Sequence, residues 1–498
     1  MSILGIEFGS TRIKAVALDR MCRGIDSGAH DWENRHEHGY WTYNLTDAQI
    51  GARKTLAGID LRGVEAMGIS GMMHGYLAFD RDGCLLAPFR TWRNTTTEEA
   101  ARELSALFGF NIPQRWSVAH LYQAILNGEA HVKDIAFLTT LAGYVHWQLT
   151  GQKVLGIGDA SGMFPIRDGD YDPDMMKKFQ RLTGIAWAAI APKILIAGEP
   201  AGTLTESGAE WLGIPRSMAG LALCPPEGDA GTGMVATNAV APRTGNVSAG
   251  TSIFAMAVLE QPLSQAYIEV DMVTTPTGAP VAMVHSNTCT SDLDAWVKLF
   301  GELSPFSRPQ LYDFLYNKAL EAEPDAGGLV NFNCYAGEPV INLSEGCPLF
   351  TRAAGSNLTL ANFMRAQIFS ALAALRMGMD LLFGRENVTL NRLVGHGGLF
   401  KTKNVGQRLM AGALEVPVAV METAEEGGPW GMALLAAYML YGTRGQDLIA
   451  FLAEVFFTAE VSTAVPEPEI VAGFTAYLER YKTCLPAEQA AAEGLRHA

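Results

Sequence analysis

Short apolar runs bounded by glycine and hydroxyl residues alternate along the chain with longer stretches whose apolar positions return every three to four residues. The first pattern predicts strands and the second predicts helices. Residues 3–6 read as a strand, Gly9-Ser10-Thr11 as a turn, and residues 13–18 as a second strand closed by Asp19. Together they predict a β-hairpin with small hydroxyl residues at its tip. The pattern returns at residues 245–249, Gly250-Thr251-Ser252 and 253–259. Placing Gly9 on Gly250 puts Ser10 on Thr251 and Thr11 on Ser252. The repeat is roughly 240 residues long, too long for a solenoid, and suggests two similar α/β halves.

Helices and strands alternate around the two hairpins. Thr46 to Gln49 reads as a capping box for a helix ending at Gly58, and residues 64–69 as a strand. Asp80-Arg81-Asp82-Gly83 is a turn. Thr96-Thr97-Glu98-Glu99 opens a helix with Leu104, Leu107 and Phe108 on one face, stopped by Gly109. In the second half the pattern predicts a helix over 360–383 ending at Gly384, a strand over 388–394 and a helix over 402–414. A strand over 416–421 and a helix over 428–440 follow, and the tail after Gly445 reads as helical. This alternation predicts an α/β fold. The boundaries expected are 1–240, 241–445 and 446–498, the first falling near Pro242, just before the second hairpin.

Composition narrows the function. The 498 residues exceed one ordinary core and suggest two to four domains. With 52 Asp+Glu against 37 Lys+Arg the formal charge is −15, the wrong sign for a phosphate-neutralising nucleic-acid binder. A phosphorylated metabolite remains a fitting ligand if backbone amides and Mg²⁺ carry the local positive charge. The seven cysteines are scattered without a C-x-x-C, which fits free thiols in a reducing cytoplasm. The amino terminus lacks a basic region followed by an apolar run, so no signal peptide is expected. No uncharged apolar stretch approaches the ~18 residues of a membrane span, and residues 429–442 read as a buried helix. A soluble cytoplasmic protein with neither membrane nor nucleic-acid partners is expected, and a homodimer is among the assemblies left open.

Several phosphate motifs are missing. There is no G-x-x-x-x-G-K-[ST], and Gly156 to Gly162 has the wrong spacing for a dinucleotide fingerprint. A triphosphate can instead be held by two hairpin tips, where glycine lets the backbone approach and hydroxyls and amides bond phosphate oxygens. Gly9-Ser10-Thr11 and Gly250-Thr251-Ser252 have that chemistry. Glu7 can hold Mg²⁺ directly or through water; Lys14 supports the phosphates or points outward from its strand. Asp229 lies among glycines at an expected helix start, as an N-cap or as a general base taking a proton from a hydroxyl. His74 sits between glycines in Gly71-Met72-Met73-His74-Gly75, and Trp92-Arg93-Asn94-Thr95 offers an aromatic platform with polar groups for a sugar. His30, His36 and His38 match no zinc spacing.

From Ile3 to about Tyr441 the chain resembles the FGGY carbohydrate kinases, within the superfamily of actin-like and sugar-kinase ATPases. Residues 5–14 resemble the family's first phosphate motif and residues 68–75 its sugar-contact motif, whose Met73-His74 pair is xylulokinase-like. Thr91 to Asn94 resembles the tryptophan-acidic sugar loop, Asp159-Ala160-Ser161 the interdomain segment, and Gly228-Asp229-Ala230 the catalytic aspartate motif. Residues 249–252 resemble the second phosphate motif and Gly395-His396-Gly397-Gly398 the adenosine motif. The resemblance implies two ribonuclease-H-like (actin-like ATPase) domains with an interdomain catalytic cleft. It implies transfer of the γ-phosphate of MgATP to a sugar hydroxyl, with Asp229 as base. Met73, His74, Trp92 and Asn94 would meet the sugar. Gly9, Ser10, Thr11, Lys14, Gly250, Thr251, Ser252, Gly397 and Gly398 would meet ATP, and Glu7 with Asp229 the Mg²⁺. The leading substrate is a ketopentose such as xylulose; another ketose such as ribulose, a polyol or a sugar acid stays open, as does a non-catalytic ATP-binding role. Three residues depart from the family pattern: Glu7 for an aspartate, Asn94 for an acidic residue, and Ala230 for the asparagine usual in xylulokinases. Glu338 lies in a segment that resembles the family only in part.

Overall fold

The computed structural model describes residues 1–421, 427–443 and 445–496. Contacts divide the chain into two units. The first comprises Met1–Ala241, Glu260–Val281 and Glu426–Thr458; the second comprises Pro242–Leu259, Ala282–Glu425 and Ala459–Ala498.

The first unit is built on strands β1 (Ser2–Phe8), β2 (Arg12–Leu18), β3 (Gly24–Asp31), β4 (Val64–Gly71), β5 (Ala222–Leu223) and β6 (Glu227–Gly228). Their order is β5-β4-β1-β2-β3, with β6 also pairing with β4. Strands β1 and β2 form the expected hairpin, in register from Ile3↔Leu18 to Phe8↔Ile13. Strand β4 is parallel to β1, and β5 and β6 are parallel to β4. Ile3, Leu4, Ile6 and Phe8 are wholly buried, as a strand covered on both faces requires. The helix Leu45–Leu56 is capped by Asn44, whose side chain accepts the Thr46 N–H. The cap thus lies two residues before the Thr46-Gln49 box read from sequence.

The helix Gly427–Tyr441 also belongs to this unit, where the sequence reading placed it in the second domain. Its face is almost entirely apolar and lies on the first sheet. Trp430 donates its indole N–H to the Cys22 carbonyl at 3.2 Å, and the Tyr441 hydroxyl donates to Glu65.

The second unit repeats the arrangement. Its strands are β7 (Thr244–Ala249), β8 (Ile253–Val258), β9 (Pro280–Ser286, in this unit from Ala282 onward), β10 (Arg392–His396), β11 (Val418–Met421) and β12 (Val461–Ala464). They follow the order β9-β8-β7-β10-β11-β12. Again an antiparallel hairpin, β7-β8, is flanked by a parallel strand, β10. In each unit a hairpin has a third strand beyond one arm and parallel strands beyond the other, the ribonuclease-H-like order of actin-like ATPases.

Three local expectations shift. Strand β10 starts at Arg392 rather than 388, because Val388 N–H still bonds the Leu382 carbonyl of the preceding helix end. The helix expected from 402 starts at Val405. The tail is not all helix: β12 lies between the helices Leu448–Val455 and Pro468–Arg496. Among the described residues one helical stretch, Leu360–Arg385, is long and apolar enough to cross a membrane, but 72% of its most apolar window is buried inside the fold, as in a core helix.

Candidate active site

Register gathers the chemistry of the first unit. Glu7 pairs with Ser70, and Ser70 with Glu227, so the three form a row across β1, β4 and β6 near the strands' carboxyl ends. Just beyond those ends lie the Gly9–Thr11 tip, the Met72–Gly75 turn and Asp229. Carboxyl ends of parallel strands are where open α/β sheets bind ligands.

Asp229 is the first residue of the helix Asp229–Ala236, and Gly228 occupies the cap position. Asp229 is therefore not the N-cap. Its Oδ1 accepts the N–H of Met73 at 3.1 Å and of Ala230 at 2.9 Å. Burial nevertheless pushes its acid up to about 6. Glu7 is raised to about 7, first by burial and then by the charge of Asp229, while Lys14, its partner across the hairpin, pulls the other way.

Two further buried acids stand behind them. Glu227 accepts the N–H groups of Gly158 at 3.0 Å, Asp159 at 2.9 Å and Gly228 at 3.2 Å. Burial holds it up at about 7 against those bonds. Asp159 takes the Thr140 hydroxyl on Oδ2 at 2.6 Å and is raised well above the usual carboxylate range, mainly by burial. Sequence reading used Asp159 only as part of a segment and missed Glu227. The available signal was a lone carboxylate straight after Cys224-Pro225-Pro226, in an apolar context.

Met73 and His74 are buried, and His74 adopts φ +70°. Its Nδ1 lies 3.1 Å from the Gly162 carbonyl, and its Nε2 receives the Arg115 Nε–H at 3.2 Å. A neutral ring protonated on Nδ1 satisfies both. Burial, aided by the Arg115 charge, pushes its pKa down to about 3. Arg115 in turn pairs with Asp271. Neither Arg115 nor Asp271 was singled out from sequence; the fold brings them together from 156 positions apart.

The sugar-loop residues divide. Trp92 is 40% exposed and donates its indole N–H to Ser10 Oγ at 3.0 Å, so it reaches the phosphate-type tip. Asn94 does not fit the sugar-contact role. It is buried, and its amide is spent on the N–H and carbonyl of Trp41 and on the Thr91 carbonyl. That local bracing also explains why a neutral amide replaces an acid there. The first tip itself is held from behind: Trp32 donates to the Gly9 carbonyl at 2.7 Å, Tyr43 donates to the Ser10 carbonyl at 2.5 Å, and Gly9 N–H bonds Arg12 O at 3.0 Å.

In the second unit the Gly250-Thr251-Ser252 tip is closed by Gly250 N–H to Ser252 O at 2.9 Å. Thr290 donates both N–H and hydroxyl to the Gly250 carbonyl, and Thr251 is exposed. Gly397 follows β10 with φ +102°, and a Cβ there would lie 2.4 Å from the Ala249 carbonyl. Glycine thus lets the Gly395–Gly398 loop lie against Ala249 at the end of β7, the residue before the second tip. Glu338 is wholly buried and accepts the Ser286 hydroxyl and the Asn287 N–H, both at 2.7 Å, which makes it a brace.

Among the described residues no group of three or more His, Cys, Asp or Glu is arranged to hold a metal ion. Mg²⁺ does not require one. It keeps waters and substrate phosphates and takes only one or two protein carboxylates. Glu7 and Asp229 supply such oxygens, and a cation would offset both the burial and the Asp229 charge that raise Glu7. The donor set fits.

Two ribonuclease-H-like sheets, each with a glycine-hydroxyl hairpin tip, and one with acids at its strand ends, define the class of actin-like and sugar-kinase ATPases. The chain belongs to the FGGY family of carbohydrate kinases: the family's N-terminal domain model matches residues 2–220 and its C-terminal domain model residues 245–440. It is a sugar phosphotransferase, and kinases of this family use ATP. It is 23% identical to the xylulose kinase of Haemophilus influenzae, over 97% of this chain and 99% of that one. To the xylulose kinase of Staphylococcus xylosus it is 21% identical over 43% of this chain and 47% of that one. Among solved structures the gluconate kinase of Lactobacillus acidophilus superposes with a TM-score of 0.83 at 17% identity, covering 99% of each chain.

Proposed function

We propose that the chain is a MgATP-dependent kinase of a ketopentose, with xylulose as the leading acceptor and Asp229 as general base. The observation that carries this reading is the carboxylate of Asp229. It is fixed by two backbone N–H groups, raised to about 6 and beside Glu7 at the strand ends. A base of that strength is ionised at neutral pH yet still takes a proton from a hydroxyl as the hydroxyl attacks.

Asp229 takes the acceptor's proton. The acceptor oxygen forms its bond to the γ-phosphorus as the bond from that phosphorus to the β–γ bridging oxygen breaks, and ADP leaves. The proton on Asp229 passes to solvent once product departs. Ser10, Thr11, Thr251 and Ser252 offer hydroxyls and amides to phosphate oxygens, and Gly397 and Gly398 offer a backbone surface to the nucleoside. Glu7 and Asp229, together with the phosphates, would hold Mg²⁺, which would supply charge compensation. Most of the catalytic effect in such a transfer is positioning and electrostatics, which suits a site built from braced loops.

A coupled ADP-release assay across ketopentoses, other ketoses, polyols and aldonates tests this. One ketopentose is expected to stand out in kcat/KM. Asp229→Asn is expected to lower kcat roughly 10²–10⁴-fold while leaving nucleotide affinity within about threefold. Nucleotide binding with no acceptor-dependent ADP release from the wild-type chain would instead support a non-catalytic ATP-binding role. Fluent transfer by Asp229→Asn would remove the base from the reading.

A further inference from the structure

The Met73-His74 turn has a polar group at each end. At one end Asp229 accepts the Met73 N–H; at the other Arg115 donates to His74 Nε2. The two turn residues are buried, whereas Asp229 and Arg115 are both partly exposed. The turn itself has little left to offer a ligand. The Met73 N–H is spent on Asp229, and the His74 ring is neutral with both nitrogens engaged. Resting on the kinase reading, we propose that Arg115 is the specificity-determining residue that donates to oxygens of the acceptor sugar beyond the reacting hydroxyl. Asp271, its counter-ion, then sets the site's preference for neutral sugars over sugar acids.

The chemistry follows from the guanidinium. It carries five N–H donors and accepts nothing, so it selects an oxygen acceptor at that end of the substrate: a carbonyl, a hydroxyl or a carboxylate. One of its donors goes to His74 and another to Asp271, which fixes the plane of the fork. Asp271 is itself buried and held on its other oxygen by Asn111 Nδ2 at 2.9 Å. Asn111 also donates to the Val270 carbonyl at 3.1 Å, which anchors the strand Val270–Thr274 that carries Asp271. The cation is therefore built in and already neutralised. A paired guanidinium still donates hydrogen bonds, but it gains little from a carboxylate on the ligand, whose charge the Asp271 carboxylate repels.

Kinetics of the full-length chain with the best neutral sugar and its matching aldonate test the proposal. Arg115→Gln is expected to raise the sugar KM roughly 10–100-fold, the worth of a charge-assisted hydrogen bond, with kcat changed less and the ATP KM unchanged. Arg115→Lys is expected to recover part of the loss, since it restores the charge but not the fork. Asp271→Asn leaves the cation uncompensated and is expected to raise the aldonate-to-sugar ratio of kcat/KM at least about fivefold. A nucleotide-induced rise in melting temperature equal to that of the wild type shows that each variant is folded. An unchanged sugar KM in folded Arg115→Gln, or an unchanged ratio in folded Asp271→Asn, overturns the proposal. Should either variant fail to show that rise, Arg115→Lys decides: an unaltered sugar KM there overturns it as well. A wild-type chain that phosphorylates no acceptor would instead defeat the kinase reading itself, a distinct result.

Discussion

Four acids crowd the ends of β1, β4 and β6, and burial is the leading cause of the raised proton affinity of each. Asp229 is pushed up to about 6 chiefly by burial, so the base is half neutralised near that pH. With MgATP bound the cation's charge holds the carboxylate lower, so the acceptor-dependent rate is expected to fall, with a slope approaching one decade per unit, at a pH below 6, read from kcat against pH. Glu7, raised to about 7 from 4.5 mainly by burial, has a consequence for stability. A carboxyl with a raised folded pKa binds its proton more tightly when folded. Its contribution is complete below the unfolded value and is lost as pH rises through the folded one. Nucleotide-free protein is therefore expected to lose stability between pH 5 and 8, and Glu7→Gln to flatten that fall by on the order of 1–3 kcal/mol. Urea midpoints at the two pH values measure it; an equal fall in the variant would show that Glu7 is not its source. For Glu227 the sequence offers only a lone carboxylate after Cys224-Pro225-Pro226, which shows nothing of its partners. Its role depends on amides from residues 158 and 159, which only the fold brings to it.

At the scale of elements, local signals carried far. Both hairpins and their tips were legible because apolar alternation and Gly-hydroxyl turns are written within a dozen residues. The apolar run stopped by Pro225-Pro226 marks β5, but β6 was not legible, since it spans two residues just after the prolines and owes its strand geometry to pairing with β4. Strand β12 has few apolar residues and is strand because β11 lies beside it. The allegiance of the helix Gly427–Tyr441 was equally non-local. Its Gly431 lies so close to the helix Asp229–Ala236 that a Cβ would fall 2.0 Å from the Thr232 carbonyl. That contact ties the helix carrying Asp229 to a segment about 200 positions later in the chain. Gly431→Val is expected to push the two helices apart, costing about 1–3 kcal/mol in urea unfolding and lowering kcat more than the ATP affinity. A variant of wild-type stability and kcat would show that the helix carrying Asp229 does not depend on this contact.

At the scale of the molecule, the same strand order occurs twice, and each copy ends its hairpin in glycine and two hydroxyl residues. A duplicated fold alone does not require a shared ligand. The proposed reaction does, because a triphosphate transferring its terminal group must be held along its length while Asp229 serves the acceptor. Each tip then contributes to one binding free energy. Ser10→Ala with Thr11→Ala in the first unit, and Thr251→Ala with Ser252→Ala in the second, are each expected to weaken binding of the same nucleotide roughly 5–30-fold, about 1–2 kcal/mol for lost phosphate contacts. Titration calorimetry with a non-hydrolysable ATP analogue reads both against the wild type, with one site per chain in every case. Combining all four substitutions is expected to multiply the losses, as for separate contacts to one ligand. If one pair weakened the analogue while the other left its affinity untouched, the second tip would have no part in holding the nucleotide. The repeat would then be ancestry of fold without a common task.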